Sequence, residues 1–442
     1  MTPQRVIRSF LLISGLYTLS ASLIWGVNTL FLLDAGLDIM GVFIANAAFT
    51  AGMFVFEIPT GVLADTAGRR LSFLLSVAVL MFGTLVYVGV SAVGGDLLLF
   101  VIASIIMGLG FTFYSGAVEA WLVDALTTTG FEGDLDQVFA RGAMVTGATM
   151  LVGTITGGVL GTVDLAIPFL GRALLLGIVF VIAYFTMHDI GFTRRALNLS
   201  TLPTEMRSVA STSLTYGWKA RPVRLLMVVS LLLSGFMMWG FYAWQRYFLD
   251  LLGQPDAVWV AGVIAAAVSI AMILGNTIVE WFTRYCGKRT TLLLWATGIH
   301  AVAIIGVGLI QSFWVAVPLY LVAMAAMGVV MPVRQAYLHA EIPSEQRATV
   351  VSFDSMVGSA GGMVSQSGLG YIGQNVSLAS GYVIGGLFML LALPALRLLR
   401  GLGGEADIIY GRGGQQGICA AQGLPSIAAV DATRRLAPEA GD

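Results

Sequence analysis

The chain has 442 residues, of which 57% are hydrophobic and 11% charged, with a mean hydropathy of +0.88 and a formal net charge of −1. A soluble domain carries about 25% charged residues and about 45–50% apolar ones, so the composition points to a polytopic membrane protein, and the balanced charge, with no basic stripe, excludes a nucleic-acid partner. Cys286 and Cys419 are far apart, and His188, His300 and His339 fall in no ligand spacing. Neither a disulfide framework nor a metal site is expected, and no cofactor is implied.

A helix needs about 20 mostly apolar residues to cross a bilayer. Runs of that kind lie near 9–33, 41–63, 71–92, 97–123, 142–162, 165–188, 223–250, 257–282, 291–310, 313–338, 348–372 and 377–399. The first continues to Leu33, beyond the h-region of about 7–15 residues of a signal peptide, and reads as an uncleaved span. Twelve spans place both termini on one side. With that side in the cytoplasm, the 23 basic residues all fall inside except Arg172 and Arg246, assigned outside, and Arg334, within a span. That asymmetry is the one cytoplasmic loops carry.

The expected division is a six-helix bundle over 1–188, a cytoplasmic linker over 189–222, a second bundle over 223–400 and a Gly- and Ala-rich tail over 401–442, expected to be disordered. The fold class is thus all-α: a polytopic membrane protein with twelve transmembrane helices in two pseudo-symmetric six-helix bundles. An internal repeat supports it. Asp65-Thr-Ala-Gly-Arg-Arg70 follows the second span, and Arg284-Tyr-Cys-Gly-Lys-Arg289 follows the eighth. Glu119-Ala-Trp-Leu-Val-Asp124 with Arg141 after the fourth span parallels Gln335-Ala-Tyr-Leu-His339 with Glu341 and Arg347 after the tenth.

Gly61-Val-Leu-Ala-Asp65-Thr-Ala-Gly68-Arg69-Arg70 resembles the cytoplasmic motif, of the form GxLaDrxGrR, between helices two and three of the major facilitator superfamily. Ser115 to Asp124 and Ile342 to Val350 are similar to stretches of its drug-efflux-type members. Arg284 stands where the second copy of the motif would carry its acid. The resemblance covers about residues 8–400. It implies a cytoplasmic gating motif of Gly61, Asp65, Gly68, Arg69 and Arg70, in which Asp65 holds the two halves together in the outward-open state against the start of span eleven near Ala348; the alternative is that Arg69 and Arg70 are only topology anchors. Gly61 allows close helix approach and Gly68 can take a positive φ. Glu119, Asp124, Arg141, Glu341 and Arg347 are expected in one cytoplasmic charge network, either moving with the gate or simply stabilising.

Charges inside spans cost at least about 2.5–3.5 kcal/mol on insertion, so they face a cavity or a partner. Glu57 lies eight residues before Asp65, about 12 Å deeper along a helix. Burial of a carboxyl favours its neutral form, so Glu57 is either a proton carrier or an acid held neutral or paired between helices. Glu280 and Asp354 are the comparable acids of the second half. Arg334 and Asp354 sit at equal depth from one face and can pair, as a fixed structural contact or as a substrate-binding one. Span seven is rich in aromatics, including Trp239, Tyr242 and Trp244, beside Gln245. These form either an interfacial belt or a wall facing substrate, with Trp25 and Asn28 of span one as weaker candidates. The glycines of 153–161 and 358–362 suit close helix packing.

No nucleophile–base pair, metal cluster or phosphate loop is legible, so the chain is not read as an enzyme, and a receptor or polytopic enzyme is the remote alternative. The leading expectation is a secondary transporter exporting small amphipathic or drug-like molecules across the cytoplasmic membrane by proton-coupled alternating access. Proton-coupled or facilitative uptake of a small metabolite is the alternative. The partners implied are a small-molecule substrate, protons and the lipid bilayer, with the protein as a monomer.

Overall fold

The computed structural model describes residues 2–114, 116–191, 211, 213–283, 286–342 and 347–409. Its first half comprises α1 (Pro3–Ser22), α2 (Asn28–Asp34), α3 (Ile39–Ala67), α4 (Arg69–Ala92), α5 (Leu97–Tyr114), α6 (Ala117–Thr128), α7 (Leu135–Gly161) and α8 (Ile167–Thr186). The second comprises α9 (Arg221–Leu252), α10 (Val258–Thr283), α11 (Arg289–Leu309), α12 (Phe313–Glu341), α13 (Arg347–Asn375), α14 (Leu378–Leu390) and α15 (Ala392–Leu402). Pro3 and Leu402 lie on one face of the bundle, called here the terminal face, and the other is the far face.

Local signals set several of these ends. Asp38 caps α3, its carboxylate accepting from the Gly41 N–H at 2.7 Å. Ser377 caps α14, its hydroxyl accepting from the Ser380 N–H at 3.0 Å. Gly253, at φ 71°, ends α9. Among the described residues, ten helical stretches are long and apolar enough to cross a membrane, with α5 and α6 lying along one of them (Leu97–Thr128) and α14 and α15 along another (Leu378–Leu402). The two other expected spans are present as helices with physical reasons for falling short. The first is broken between Ser22 and Asn28, and α13 carries many Gly, Ser and Gln residues.

Packing repeats between the halves. In the first, α3 packs on α5, α1 on α7, α4 on α8 and α4 on α5. In the second, the corresponding pairs are α10 on α12, α9 on α13, α11 on α14 and α11 on α12. The halves meet where α3 lies against α13 and α7 against α10. The second contact is close because both sides are glycine: a Cβ on Gly158 would stand 2.6 Å from Gly262 Cα, and one on Gly262 would stand 2.8 Å from Gly158 Cα.

Two expectations about the ends need correction or bounding. The tail was expected to be disordered from 401, yet residues to Ile409 are held on the start of α11. Ile409 N–H donates to the Gly287 carbonyl at 3.0 Å, and Asp407 is buried against Thr290. The reason is a set of unsatisfied N–H groups at a helix start, which a carboxylate neutralises. The remainder of the tail (410–442), Arg284, and linker residues 192–210 and 212 lie outside the described residues.

Candidate functional site

The break in the first span is the feature from which the site is built. Residues 23–27 leave the helix in turns, which frees backbone groups at membrane depth, where lipid offers them no partner. Gln245, fully buried on α9, takes up two of them. Its Nε2 donates to the Trp25 carbonyl at 2.9 Å, and its Oε1 accepts from the Thr29 N–H at 2.8 Å. Thr29 Oγ1 donates to the Tyr242 carbonyl at 2.8 Å. One amide of the second half therefore completes the backbone of the first.

Two cavities of about 310 Å³ each flank this junction. Trp25 and Phe241 line both, and their rings meet edge to face at 6.1 Å. The chamber on the second-half side is apolar, with Met150, Met237, Met272 and Met324 among its walls. The chamber on the first-half side is mixed: Tyr17, Asn28, Asn46, Tyr87, Tyr242 and Arg172 all reach it. Asn28 Nδ2 donates to Asn46 Oδ1 at 3.1 Å, and Tyr17 stacks on Tyr114 with centroids 3.9 Å apart.

Arg172 is the residue that sequence reasoning misplaced. It was counted among the outside residues, near the start of the span expected over 165–188; it lies five residues into α8, about 8 Å along the axis, and is only 8% exposed. Its Nε is buried with no hydrogen-bond partner. Tyr17 and Tyr242 are within electrostatic reach, but no carboxylate pairs with it among the described residues. The signal was available: an arginine inside an apolar run that itself reads as a span.

The remaining candidates distribute as follows. Trp25, Asn28 and Tyr242 line the mixed chamber. Trp239 reaches neither cavity. It is fully buried between Phe43 (5.6 Å) and Tyr382 (5.1 Å), and Trp244, Tyr247 and Phe248 are also buried. Span seven is thus largely core rather than an interfacial belt; among the described residues the exposed tryptophans are Trp218, Trp259, Trp281, Trp295 and Trp314. Arg334 and Asp354 make a bidentate pair, Nη1 to Oδ1 at 2.9 Å and Nη2 to Oδ2 at 2.7 Å. Glu57 is half-buried in α3, and its carboxylate bonds to no other described residue. Asp65, Glu280 and Arg347 lie in α3, α10 and α13, but their side chains are outside the described residues.

At the terminal face, Gly68 takes φ 113° and the Asp189 carboxylate sits against it. Asp189 Oδ1 accepts from the Arg70 N–H at 2.9 Å, and Arg70 Nη2 donates to the Tyr184 carbonyl at 2.6 Å. The second half repeats the device. Asp407 accepts from the Thr290 N–H at 2.8 Å and from its hydroxyl at 2.9 Å, while Arg289 donates to the Ala406 carbonyl. Arg70 therefore anchors within its own half.

Other expectations for this face are not met. The close approach expected at Gly61 is not made, since a Cβ there would meet nothing within 4 Å. Glu119 and Arg141 are exposed, Asp124 and Glu341 partly buried, and none of these four pairs with another. A common cause is visible. Among the described residues, the hydrogen bonds, ring contacts and close glycine approaches between the halves lie from the midplane to the far face, from Thr50–Gln366 to Ile39–Gly373. The charges expected to meet sit where the halves are not joined by such contacts.

Comparison with known proteins extends this picture. Residues 256–408 match the profile of the Major Facilitator Superfamily, in the half that lacks the intact Gly61–Arg70 motif. The class G tetracycline resistance protein of Vibrio anguillarum is 25% identical over 368 residues, covering 78% of this chain and 84% of that protein. Among solved structures, the nucleoside transporter NupG superposes with a TM-score of 0.72 at 11% identity, over 89% of this chain and 99% of that one. A D-xylose-proton symporter gives 0.67 at 14% identity, over 91% and 98%.

Proposed function

We propose that the chain is a multi-pass membrane transporter of the major facilitator superfamily, a reading supported by the profile match over residues 256–408 and by the tetracycline-resistance relative, and that it exports small amphipathic molecules from the cytoplasm, driven by inward proton movement. The observation that carries this reading is the pair of midplane chambers joined at Trp25 and Phe241. Their walls come from both halves, and hydrogen bonds between the halves close over them toward the far face. A site at the interface of the two repeats is what alternating access requires. The export direction draws on the tetracycline-resistance relative, and the cytoplasmic membrane with both termini inside draws on the placement of basic residues.

In this reading the conformation is the one in which the chambers communicate with the cytoplasm. The Asp65 latch against the start of α13 belongs to the opposite, outward-open state. Glu57, an intramembrane acid whose carboxylate bonds to no other described residue, is the proton carrier. Asp354 is already committed to Arg334 at 2.7–2.9 Å, which leaves it less free to exchange a proton.

Uptake is the second reading, favoured by the likeness to a proton symporter. The two separate cleanly in a host stripped of its own drug pumps, scored with a panel of fluorescent amphiphiles. Export lowers cellular content relative to the empty vector and raises the growth-inhibiting concentration. Higher content in expressing cells would overturn the export reading and leave uptake.

A further inference from the structure

We propose that the mixed chamber is a subsite for an anion carried on an aromatic ring, and that Arg172 is the residue that holds the anionic group. The inference rests on the reading of this chamber as the substrate site, and it adds the charge class of the substrate.

Arg172 is nine-tenths buried, its Nε lacks a partner, and no described carboxylate neutralises it. A guanidinium withdrawn from water is costly unless paired. The second half of the same molecule shows the usual solution, since Arg334 there has both its terminal nitrogens on Asp354. Beside Arg172 the corresponding space is a cavity of about 310 Å³. That is at the lower end of ligand pockets, about 300–1,000 Å³, and suits a molecule of one or two rings. A planar guanidinium fork matches a carboxylate or sulfonate. Around it, Tyr17, Tyr87 and Tyr242 line the chamber, the Tyr87 hydroxyl being held already by Ser104, and Asn28 and Asn46 each keep one amide N–H beyond the bond they donate. The geometry therefore supplies an aromatic slot, hydrogen-bond donors and one fixed positive charge. Such a site discriminates against cationic amphiphiles, which would meet Arg172 as a like charge.

The test uses the full-length protein in nanodiscs of uncharged lipid and three matched probes: 2-naphthoate, 2-naphthylmethanol and 2-naphthylmethyl-trimethylammonium. Affinities are read by calorimetry, with no gradient applied. The expected order places naphthoate about tenfold or more tighter than the alcohol, in the range of a hydrogen bond to a charged group, and the cation weakest. Arg172→Gln should remove the preference for naphthoate while leaving the alcohol unchanged, which also reports that the chamber is folded. Arg172→Lys should keep the preference for the anion but weaken it, because the fork is lost.

The proposal is overturned if the wild-type protein binds the cation as tightly as naphthoate, if none of the three probes binds, or if Arg172→Gln leaves the ratio of naphthoate to alcohol unchanged. Should Arg172→Gln not be recovered folded, the wild-type order and Arg172→Lys decide. Export and proton coupling play no part in this measurement. A failed binding order beside intact export removes the charge class alone, whereas the expected order beside reversed transport removes only the export reading.

Discussion

Each half of the molecule withdraws an arginine from water, Arg172 buried and Arg334 partly buried, and the two are treated differently. Arg334 is met by Asp354 at the same depth: the first lies seven residues before the end of α12, the second seven residues after the start of α13. Arg172, in α8, is met by phenols and a cavity. In a twofold-repeated fold, the half that neutralises its own charge is suited to structure, and the half that leaves a charge unneutralised is suited to binding. The contrast also shows why an intramembrane charge must be read with its surroundings, since the insertion cost is similar for both.

The contrast can be broken in several ways. The largest effect is expected from Asp354→Asn, which leaves Arg334 buried without its counter-charge and should cost about 3–5 kcal/mol, read as a lowered thermal unfolding midpoint. Arg172→Gln should cause no comparable loss, because no partner is orphaned. Equal losses for the two would mean that Arg172 is structural as well. Replacing the pair together, Arg334→Met with Asp354→Leu, should recover most of the stability that Asp354→Asn loses, as apolar substitutes for buried pairs often do.

A smaller effect is expected at the junction. Gln245→Ala leaves the Trp25 carbonyl and the Thr29 N–H unpaired, a cost of about 1–3 kcal/mol per buried group, and should loosen closure at the far face. Labelling of a cysteine introduced at Asn28 by a membrane-impermeant maleimide added from outside should then rise; unchanged labelling would show that Gln245 does not help hold the halves together. The smallest effect is expected at the helix caps. Asp189→Ala and Asp407→Ala should each cost about 0.5–2 kcal/mol, with Asp407 toward the upper end because it is buried and makes two bonds to Thr290. A negligible effect of Asp407→Ala would show that residues 403–409 add nothing to the second half.

Much of this organisation was legible in the sequence. The span expected at 291–310 is the helix Arg289–Leu309, and that at 223–250 is Arg221–Leu252, because apolar runs bracketed by basic residues and glycine leave little latitude. The Arg334–Asp354 pair was legible from equal depth alone. The break at 23–27 was not: only Gly26 marks it locally, and the group that completes it, Gln245, is more than two hundred residues away. Arg172 was counted with the outside residues because it stands near the end of its apolar run, and the cavity beside it appears only in the structure. The repeated aspartate caps were missed because His188-Asp189 and Ala406-Asp407 share no pattern beyond the acid. The side chains of Asp65 and of Arg347 and Ala348 at the start of α13 lie outside the described residues, so the proposed latch is not seen.

The central claim is that protons moving inward drive substrate outward through these chambers. It is tested most directly in inverted membrane vesicles energised to an acid interior, with substrate uptake and lumen pH followed together. The account predicts that adding a transported amphiphile raises lumen pH as the amphiphile accumulates, and that Glu57→Gln abolishes the pH change. Accumulation with no change in lumen pH, or unaltered coupling in Glu57→Gln, would contradict it.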